Sequence, residues 1–427
     1  MRVFQGSTNR ALKAMRVCIH RGSHEIGGTC IEVEAAGKRI VLDIGLPLDA
    51  EDAESLLPAV SGFREPDETL LAVAISHPHQ DHYGLAHYLR PELPILIGEA
   101  AHHILQAASA FSPSGATFAH TTYLKDRQPI SLGPFEITPY LVDHSAYDAY
   151  AFLVSADGKR LFYSGDLRGH GRKARAFEAL LKHPPADVDV LLMEGTTIGR
   201  EDTGKGFKTE QELEAAFVAQ IKSTQGLCLA WSSGQNIDRI VTIFRACKQT
   251  GRQFIIDLYT AEILRATGNP NVPQGTWEGV LVYVPEAQRR QVKRQATFEL
   301  IERYRQQRIF PERLAEAAPN AVMLFRPSMS AELERAGCLG NASLIYSLWE
   351  GYLAQDRLRP FHDWLSRNQI PLVPIHTSGH ASVADLKRLA QAIQPKRLIP
   401  IHSEEPGRYQ EFFERVELQK DGAWWEV

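Results

Sequence analysis

A dense cluster of histidines constrains this chain more than any other feature of its sequence. Residues 76–82 read Ser-His-Pro-His-Gln-Asp-His and directly follow residues 70–76, a mostly apolar run typical of a buried strand. A loop that leaves the end of a strand can point several side chains into one space. The segment supplies four of them: His77, His79, Asp81 and His82. Imidazoles and carboxylates are good ligands for Zn²⁺ and similar ions, and burying them without a metal would be costly.

Further ligand candidates follow along the chain, each at the end of a strand-like run or in a turn. They are His144, Asp166, Glu194, His380 and His402. Taken singly, such residues are more often structural, because a strand-end Asp usually caps a turn and a lone His is usually surface or satisfied core. Together with residues 76–82 they indicate a metal-dependent active site. The competing interpretation, a solvated polar loop, is disfavoured by the density of the H-x-H-x-D-H spacing.

The first half of the chain reads as short strands with tight turns. Alternation at residues 16–20, a hairpin of 29–35 with 39–42, and a hairpin turn at Asp157-Gly158 all predict strands. Other predicted strands are 95–97, 135–139, 151–155, 161–164 and 188–193, and predicted helices are 84–90 and 99–110. Strands interleaved with helices favour a layered α/β architecture.

From about Thr209 the pattern changes to alternating helices and strands. Helical periodicity covers residues 210–223 and 237–250, and strand-like runs cover 226–232 and 254–258. Because parallel strands need a crossover that is usually a helix, this rhythm indicates a parallel sheet.

The later part of the chain is expected to return to the first domain. A long helix rich in Arg and Gln is predicted over residues 286–308, and the strand pattern of the first half is expected again at 370–374. We therefore predict a core domain of residues 1–195 and 370–427, interrupted by an inserted domain of residues 196–369.

Composition and charge exclude several classes of protein. The 427 residues carry 47 basic and 51 acidic side chains, a net charge of -4, which argues against coating nucleic acid through bulk positive charge. Five cysteines without C-x-x-C spacing disfavour a disulfide framework and predict reduced thiols in the cytoplasm. No apolar run approaches the roughly 18 residues that span a bilayer, so no membrane is expected. Residues 1–14 lack a signal peptide and read as an extra arm, unless Met15 is an alternative start.

The candidate residues resemble two known signatures. The first set resembles the five-part signature of the metallo-β-lactamase fold: Asp43, His77, His79, Asp81, His82, His144 and Asp166. The second set resembles the extra signature of the β-CASP branch of nucleases: Glu194, His380 and His402. The local sequence most closely resembles ribonuclease J at Gly27-Gly28, residues 42–45 and residues 378–382. Over residues 16–405 the resemblance implies an α/β fold, a metallo-β-lactamase αββα sandwich with an inserted parallel-sheet β-CASP domain.

The resemblance also implies a pair of zinc ions, with manganese as the alternative. One ion would be held by His77, His79 and His144. The other would be held by Asp81, His82 and His402, with Asp166 bridging the two. Asp43 would orient a ligand histidine from behind. Two neighbouring ions suit in-line attack on a phosphodiester.

Three catalytic residues follow from the same resemblance. Asp81, Glu194 and His380 would carry the reaction, with His380 as the general acid for the leaving oxygen. Glu194 would hold His380 and raise its proton affinity by favouring the charged imidazole.

Two turns before predicted helices offer backbone N–H groups to a phosphate. The first contains Ser378, Gly379, Ala381 and Ser382, with a capping box between Ser382 and Asp385. The second contains Ser232 and Ser233, and a third, weaker candidate is Arg326 with Ser328. For either turn an ordinary helix cap is an equally open interpretation. Of two basic runs, residues 168–175 are expected to track a phosphate backbone and residues 289–294 to form a solvated helix face.

The favoured function is a zinc-dependent ribonuclease that hydrolyses RNA phosphodiesters by a two-metal mechanism, as a 5′-to-3′ exonuclease, an endonuclease or both. The alternatives are a DNA nuclease, a hydrolase of a small molecule or cyclic nucleotide, and a non-catalytic nucleic-acid scaffold. RNA is the expected partner, single-stranded DNA is the alternative, and a homodimer is left open. Two features depart from ribonuclease J. The chain stops 25 residues after His402, where that family carries a further domain, and residues 346–352 read Tyr-Ser-Leu-Trp-Glu-Gly-Tyr.

Overall fold

The computed structural model describes residues 14–48, 50, 53–200 and 206–427. The strands of its first sheet are β1 (Arg16–Arg21), β2 (Cys30–Ala35), β3 (Lys38–Leu42), β4 (Leu70–Ala74), β5 (Ile95–Gly98), β6 (Thr121–Leu124) and β20 (Trp424–Glu426). They lie in the order β20-β1-β2-β3-β4-β5-β6. β2 and β3 are antiparallel, which confirms the predicted hairpin, whereas β3 to β6 run parallel.

The second sheet has six strands, in the order β19-β11-β10-β9-β8-β7. Their bounds are β7 (Ile130–Leu132), β8 (Phe135–Leu141), β9 (Tyr150–Ala156), β10 (Lys159–Tyr163), β11 (Val190–Glu194) and β19 (Arg397–Ile401). The turn between β9 and β10 uses Asp157 and Gly158, both with positive φ, as a tight hairpin of this type requires. β10, β11 and β19 are parallel, so their carboxyl ends meet at one edge.

These two sheets face each other across one hydrophobic core. Val17 and Leu42 of the first sheet share a buried cluster with Phe152, Leu161 and Ile399 of the second. The helices of this part are α1 (Gln80–Tyr83), α2 (Glu99–Ser109), α3 (Ala174–Lys182) and α12 (Val383–Ile393). α2 packs outside the first sheet, and α3 and α12 pack outside the second. The layers are those of an αββα sandwich, as predicted.

A third sheet of seven parallel strands lies between β11 and β19 in the chain. Its strands are β12 (Cys228–Trp231), β13 (Gln253–Asp257), β14 (Val280–Tyr283), β15 (Arg308–Ile309), β16 (Ala321–Leu324), β17 (Ser343–Tyr346) and β18 (Leu372–Pro374). They lie in the order β15-β14-β13-β16-β12-β17-β18. All the pairs are parallel, which confirms the sheet type that the sequence predicted.

Helices cover both faces of the third sheet. They are α4 (Glu210–Ser223), α5 (Ile237–Thr250), α6 (Leu258–Ala266), α7 (Glu286–Gln295), α8 (Glu299–Glu302), α9 (Leu314–Ala317), α10 (Ser330–Arg335) and α11 (Arg359–Arg367). α4, α5 and α6 share one buried cluster with Phe254 and Val322. α10 and α11 share another cluster, on the other face, with Leu229 and Ile255. Alternate side chains of each buried strand therefore pack into two hydrophobic cores, one on each face of the sheet.

The prediction of one long helix over residues 286–308 is wrong. α7 ends at Gln295, because Ala296 adopts the left-handed conformation with φ 57°, and only Val292 of this helix is buried. A run with so few apolar residues has no face to hold a continuous helix against the sheet. The short α8 and the edge strand β15 occupy the remainder.

Two further predictions need correction. The strand at 370–374 belongs to the third sheet, because β18 pairs with β17 through Leu344 and Leu372 rather than with the sandwich. The pattern of residue types in a strand does not name its partner. The helix predicted over 84–90 is replaced by α1, which begins at Gln80, and by a 3-10 turn over Ala86–Tyr88. The domain boundaries at 195 and 370 stay a prediction.

The described part of the chain contains no helix long and apolar enough to cross a membrane. All five cysteines are buried free thiols. The expectations for residues 1–13 lie outside the described residues.

Candidate metal centre and active site

The candidate ligands collect at one edge of the sandwich because strands of both sheets end there. Residues 76–82 follow β4, and Asp43 follows β3, which is parallel to β4. Asp166 and His402 follow β10 and β19, and Glu194 is the last residue of β11; these strands are three parallel neighbours of the second sheet. The carboxyl ends of parallel strands share an edge, so residues far apart in sequence come together.

Two adjoining groups of ligand atoms form there, and a third group that includes His380 overlaps both. In each group the atoms lie within 4.8 Å of one another. The two adjoining groups are His77, His79, His144 and Asp81, His82, Asp166, His402, and the third is His144, Asp166, His380. The rings of His77 and His82 are 4.0 Å apart between centroids, so the groups touch. Asp166 lies between them, with its Oδ2 3.7 Å from His77 Nε2 and 3.1 Å from His82 Nε2. The two adjoining groups are the sets that the resemblance implies, and their role as ligands stays a prediction.

The donor atoms fit divalent cations. His77 Nε2, His402 Nε2 and Asp166 Oδ1 are buried and have no hydrogen-bond partner among the described residues. An unsatisfied buried polar atom costs about 1–3 kcal/mol, so several at one place call for a bound partner. Nitrogen and oxygen donors in this arrangement suit zinc or manganese.

The ionisation of three of the histidines also suits ligation, whereas at His82 burial is outweighed by the carboxylates of Asp166 and Asp43, which raise the pKa well above its usual range. Burial, together with neighbouring imidazoles, lowers the pKa of His77 and His144 well below its usual range. Burial likewise lowers the pKa of His79 to about 4, although Asp81 and Asp166 oppose it. A histidine must be neutral to bind a metal, and these three are neutral near pH 7.

Asp43 holds His82 in place from behind. Its Oδ2 lies 2.7 Å from His82 Nδ1 and accepts hydrogen bonds from the Ser76 hydroxyl at 2.7 Å and the Tyr163 hydroxyl at 2.6 Å. Its Oδ1 accepts from the backbone N–H of Ser76 at 2.6 Å. This leaves His82 Nε2 facing Asp166, as expected of a carboxylate that fixes a ligand's ring and tautomer.

Glu194 and His380 form a pair beside the two groups. His380 Nδ1 lies 3.6 Å from both Glu194 Oε2 and Asp166 Oδ2. Burial would lower the pKa of His380, but the two carboxylates outweigh it and raise the pKa to about 9. Glu194 is itself buried and accepts hydrogen bonds from the backbone N–H groups of Thr196 at 3.1 Å and Ala381 at 3.3 Å. A cationic imidazole with a partly exposed ring can donate a proton.

The turn that carries His380 uses most of its polar atoms internally. Ser382 caps α12 by accepting from the backbone N–H of Asp385 at 3.1 Å, as predicted. The reciprocal half of the capping box is absent among the described contacts, because the Asp385 carboxylate accepts from the Ser382 hydroxyl at 3.0 Å instead. The Ser378 hydroxyl accepts from the N–H of His380 at 3.0 Å. Gly379 packs closely, since a Cβ there would lie 2.8 Å from Ser145 Oγ.

The turn before α5 differs from the His380 turn, because it leaves one buried hydroxyl without a described partner. Ser232 is buried and its hydroxyl has no partner among the described residues, while Ser233 Oγ accepts from the N–H of Gln235 at 3.2 Å. The helix cap is Asn236, whose Oδ1 accepts from the N–H of Arg239 at 3.1 Å. The cap is thus an ordinary one, and it leaves the Ser232 hydroxyl free.

Arg326 adjoins this turn, because a Cβ on Gly234 would lie 2.8 Å from Arg326 Nη2. Its Nε lies 2.7 Å from Asp257 Oδ2, and its guanidinium lies 5.1 Å from the Tyr259 ring centroid. Ser328 is exposed on the 3-10 turn Pro327–Met329. The structure therefore brings Arg326 to the predicted serine turn, and no described contact joins Ser328 to that turn.

A buried ion network that sequence reasoning missed lies beside the metal centre. We call it the junction network, and its members are Asp143, Arg168, Glu210, Asp238 and Arg239. Arg168 Nη2 lies 2.6 Å from Asp238 Oδ2, and its Nη1 donates to the carbonyl of Ser378 at 3.1 Å. Arg168, in the loop after β10, thus connects that loop to α5 beside the third sheet and to the turn that carries His380.

The expectation that the basic run 168–175 tracks a phosphate backbone is wrong for most of its members. Arg168 is fully buried, Arg172 lies 2.6 Å from Glu214, and Lys173 Nζ lies 3.6 Å from Asp238 Oδ1. Only Arg175 of the run is exposed. The acidic partners lie in no motif of their own, so spacing did not reveal them. The other run, on α7, is mostly exposed, as expected of a solvated face.

Comparisons with known proteins agree with the fold. A family model described as a beta-lactamase superfamily domain matches residues 39–227, and one described as a Zn-dependent metallo-hydrolase RNA specificity domain matches residues 372–414. A crystal structure of a protein of unknown function from Enterococcus faecalis V583 superposes with a TM-score of 0.75 at 21% identity, covering 97% of this chain and 100% of that one.

Three curated relatives are ribonuclease J proteins. Ribonuclease J of Helicobacter pylori (strain ATCC 700392 / 26695) is 21% identical over 411 residues, which cover 90% of this chain and 55% of the relative. Ribonuclease J of Sinorhizobium meliloti is 22% identical, with 86% and 64% covered, and that of Mycoplasma genitalium is 21% identical, with 92% and 68% covered. The chain spans little more than half the length of the Helicobacter protein.

Fold, ligand geometry and family models together define a metallo-β-lactamase-fold protein with an inserted parallel-sheet domain of the β-CASP type. Within that class the chain is similar to ribonuclease J, at about 21% identity to the Helicobacter protein.

Proposed function

We propose that this protein is a metal-dependent ribonuclease that hydrolyses RNA phosphodiesters with two zinc or manganese ions. The observation that carries the proposal is the pair of adjoining groups of buried donor atoms, several of them without a partner, with Glu194 and His380 beside them. The match to an RNA specificity domain and the name of the relatives support RNA as the substrate. We infer a cytoplasmic location from the free thiols.

Seven residues of the chain would bind the two ions. His77, His79 and His144 would hold one ion, and Asp81, His82 and His402 the other, with Asp166 between them. Two such ions supply, when bound, electrostatic stabilisation of a phosphate whose charge changes during hydrolysis. Asp43 keeps the His82 ring in its ligating orientation.

His380 would donate the proton that the leaving oxygen needs. Its imidazole is cationic at neutral pH, since Glu194 and Asp166 raise its pKa to about 9. Glu194 cannot turn away, because the N–H groups of Thr196 and Ala381 hold both of its oxygens. Proton donation by such a group contributes about 10²- to 10⁴-fold to the rate.

A phosphate of the RNA would be received by the turns predicted from the sequence. Ser232 supports this, because its buried hydroxyl has no partner among the described residues and it lies in the turn before the 14-residue α5, where Gly234 adjoins Arg326. Ser378 and Gly379 would face the same strand from the His380 turn. Whether the enzyme removes nucleotides from the 5′ end, cuts internally, or does both depends on how these turns hold the end of the RNA.

A substrate panel tests the proposal. The panel contains 5′-monophosphorylated, 5′-triphosphorylated and circular RNA, single-stranded DNA, a cyclic nucleotide and small esters. We expect hydrolysis of RNA, with faster decay of the 5′-monophosphorylated form if the exonuclease mode operates. Hydrolysis of esters without any nucleic acid, or of DNA in preference to RNA, would contradict the proposal. His103→Ala, at an exposed histidine of α2, is the matched control for histidine substitutions.

A further inference from the structure

Two exposed aromatic side chains stand together on the segment that follows β17. Trp349 is 51% exposed and Tyr352 is 40% exposed, and their rings meet edge to face with centroids 5.2 Å apart. The hydroxyl of Tyr346 donates to the carbonyl of Trp349 at 3.2 Å and fixes the start of the segment. Among the large exposed aromatic residues of the described chain, these are the two that contact each other.

A cation from the segment after β11 completes the feature. The Arg200 guanidinium lies 5.4 Å from the centroid of the Trp349 ring, and its Nη2 lies 2.7 Å from Glu404 Oε1. We call Arg200, Trp349 and Tyr352 the aromatic platform. Glu404 is two residues beyond the candidate ligand His402. The Trp349 ring therefore lies no more than roughly 20 Å from the His402 backbone, given about 3.8 Å per residue and the contacts between them.

The size of the platform limits what can cover it. Large aromatic side chains present about 150–250 Å² each, so two that are about half exposed offer roughly 200 Å². A stable protein–protein interface needs about 800 Å² from each partner. The platform is therefore small for a protein partner but matches one or two flat rings. The guanidinium beside it favours a ligand that is both aromatic and anionic.

We propose that the aromatic platform stacks an unpaired nucleobase of the RNA strand whose phosphodiester lies at the metal centre. This inference rests on the proposed function and names a second contact for the same substrate. Stacking on tryptophan tolerates any base, because every base has a π-face. The platform would hold the strand at a fixed distance from the cut site, so it would act only on RNAs long enough to reach it.

The test is the length dependence of cleavage. Single-stranded 5′-monophosphorylated oligouridylates from a dinucleotide up to about twelve nucleotides are offered to the wild-type protein, to Trp349→Ala and to Trp349→Phe. Trp349→Ala should lower kcat/KM by about 5- to 100-fold for the long oligomers and leave the dinucleotide unchanged. Trp349→Phe should restore most of the loss. Phe310→Ala is the matched control, since Phe310 is 48% exposed, lies 4.4 Å from the Arg308 guanidinium and follows β15 at the opposite edge of the third sheet.

The outcomes separate the two proposals. If the wild-type protein cleaves no RNA of any length, the ribonuclease proposal fails and the platform falls with it. If the wild-type protein cleaves RNA and Trp349→Ala shows no loss that grows with length, the ribonuclease stands and the platform is overturned. A dimer that Trp349→Ala dissociates, with cleavage unchanged, would assign the platform to a second copy of the chain and also overturn the inference.

Discussion

The metal centre and the junction network are both dense clusters of buried charge, a few residues apart in the chain, yet they are satisfied in opposite ways. In the junction network Arg168 and Arg239 meet the carboxylates of Asp143, Glu210 and Asp238. In the metal centre, donor atoms of His77, Asp166 and His402 have no partner among the described residues. One cluster pairs its own buried charges, and the other leaves donor atoms free for a ligand.

This difference distinguishes buried charges that stabilise the fold from buried groups that bind a ligand. Buried polar groups that hydrogen-bond each other are structural, and breaking one leaves a charge uncompensated. Buried groups that converge without partners mark a place for a ligand. The predictions that follow test this contrast, beginning with the changes that should remove most activity.

Asp166→Ala should reduce RNA hydrolysis to background, because Asp166 lies between both ligand groups. The same change should lower the bound metal measured by mass spectrometry of the purified protein. His103→Ala should leave both unchanged. Full activity in Asp166→Ala would show that the cluster is structural after all.

His380→Ala should slow hydrolysis about 10²- to 10⁴-fold, because the proton donor is lost. The metal content should stay at the wild-type value, since His380 is not one of the proposed ligands. Steady-state kinetics and metal analysis of the same preparation check the two parts together. Loss of metal in His380→Ala would contradict its role as a general acid.

Arg168→Ala should destabilise the fold by about 3–5 kcal/mol, because buried Asp143 loses its cation and buried Glu210 and Asp238 each lose one of two. Denaturant unfolding measures the change. The control is Arg388→Ala, whose exposed bidentate pair with Glu178 should contribute about 0–1 kcal/mol. Equal effects of the two substitutions would remove the distinction between the junction network and a surface ion pair.

Asp43→Asn should have the smallest effect, about 10- to 100-fold in metal affinity or activity. The amide keeps the shape of the side chain but weakens the contact that orients His82. Metal titration of stripped protein measures the affinity. An unchanged affinity would show that Tyr163 and Ser76 position the ring without the carboxylate.

Sequence reasoning identified the residues that the structure brings together as candidate ligands, because they sit at strand ends or at a fixed spacing. Residues 76–82 required only local order, and the parallel strands brought His144, Asp166 and His402 to them. The fold class was predictable for a similar reason, since hairpin turns and the βαβ rhythm are encoded by neighbouring residues.

Long-range choices were not predictable in the same way. β18 could pair with either domain on its pattern alone, and the structure pairs it with β17. Arg168 looked like a phosphate contact because its three carboxylate partners are scattered over the chain. The local pattern did not indicate the position, Ala296, at which α7 ends. Partner choice and burial depend on tertiary contacts that spacing does not record.

The most direct test of the account is the number of divalent ions bound per chain, measured by inductively coupled plasma mass spectrometry on the purified protein and repeated after chelation. Two ions per chain are predicted, with RNA hydrolysis lost on removal and regained on addition of zinc or manganese. A protein that hydrolyses RNA at the same rate with no bound ion would contradict the central claim.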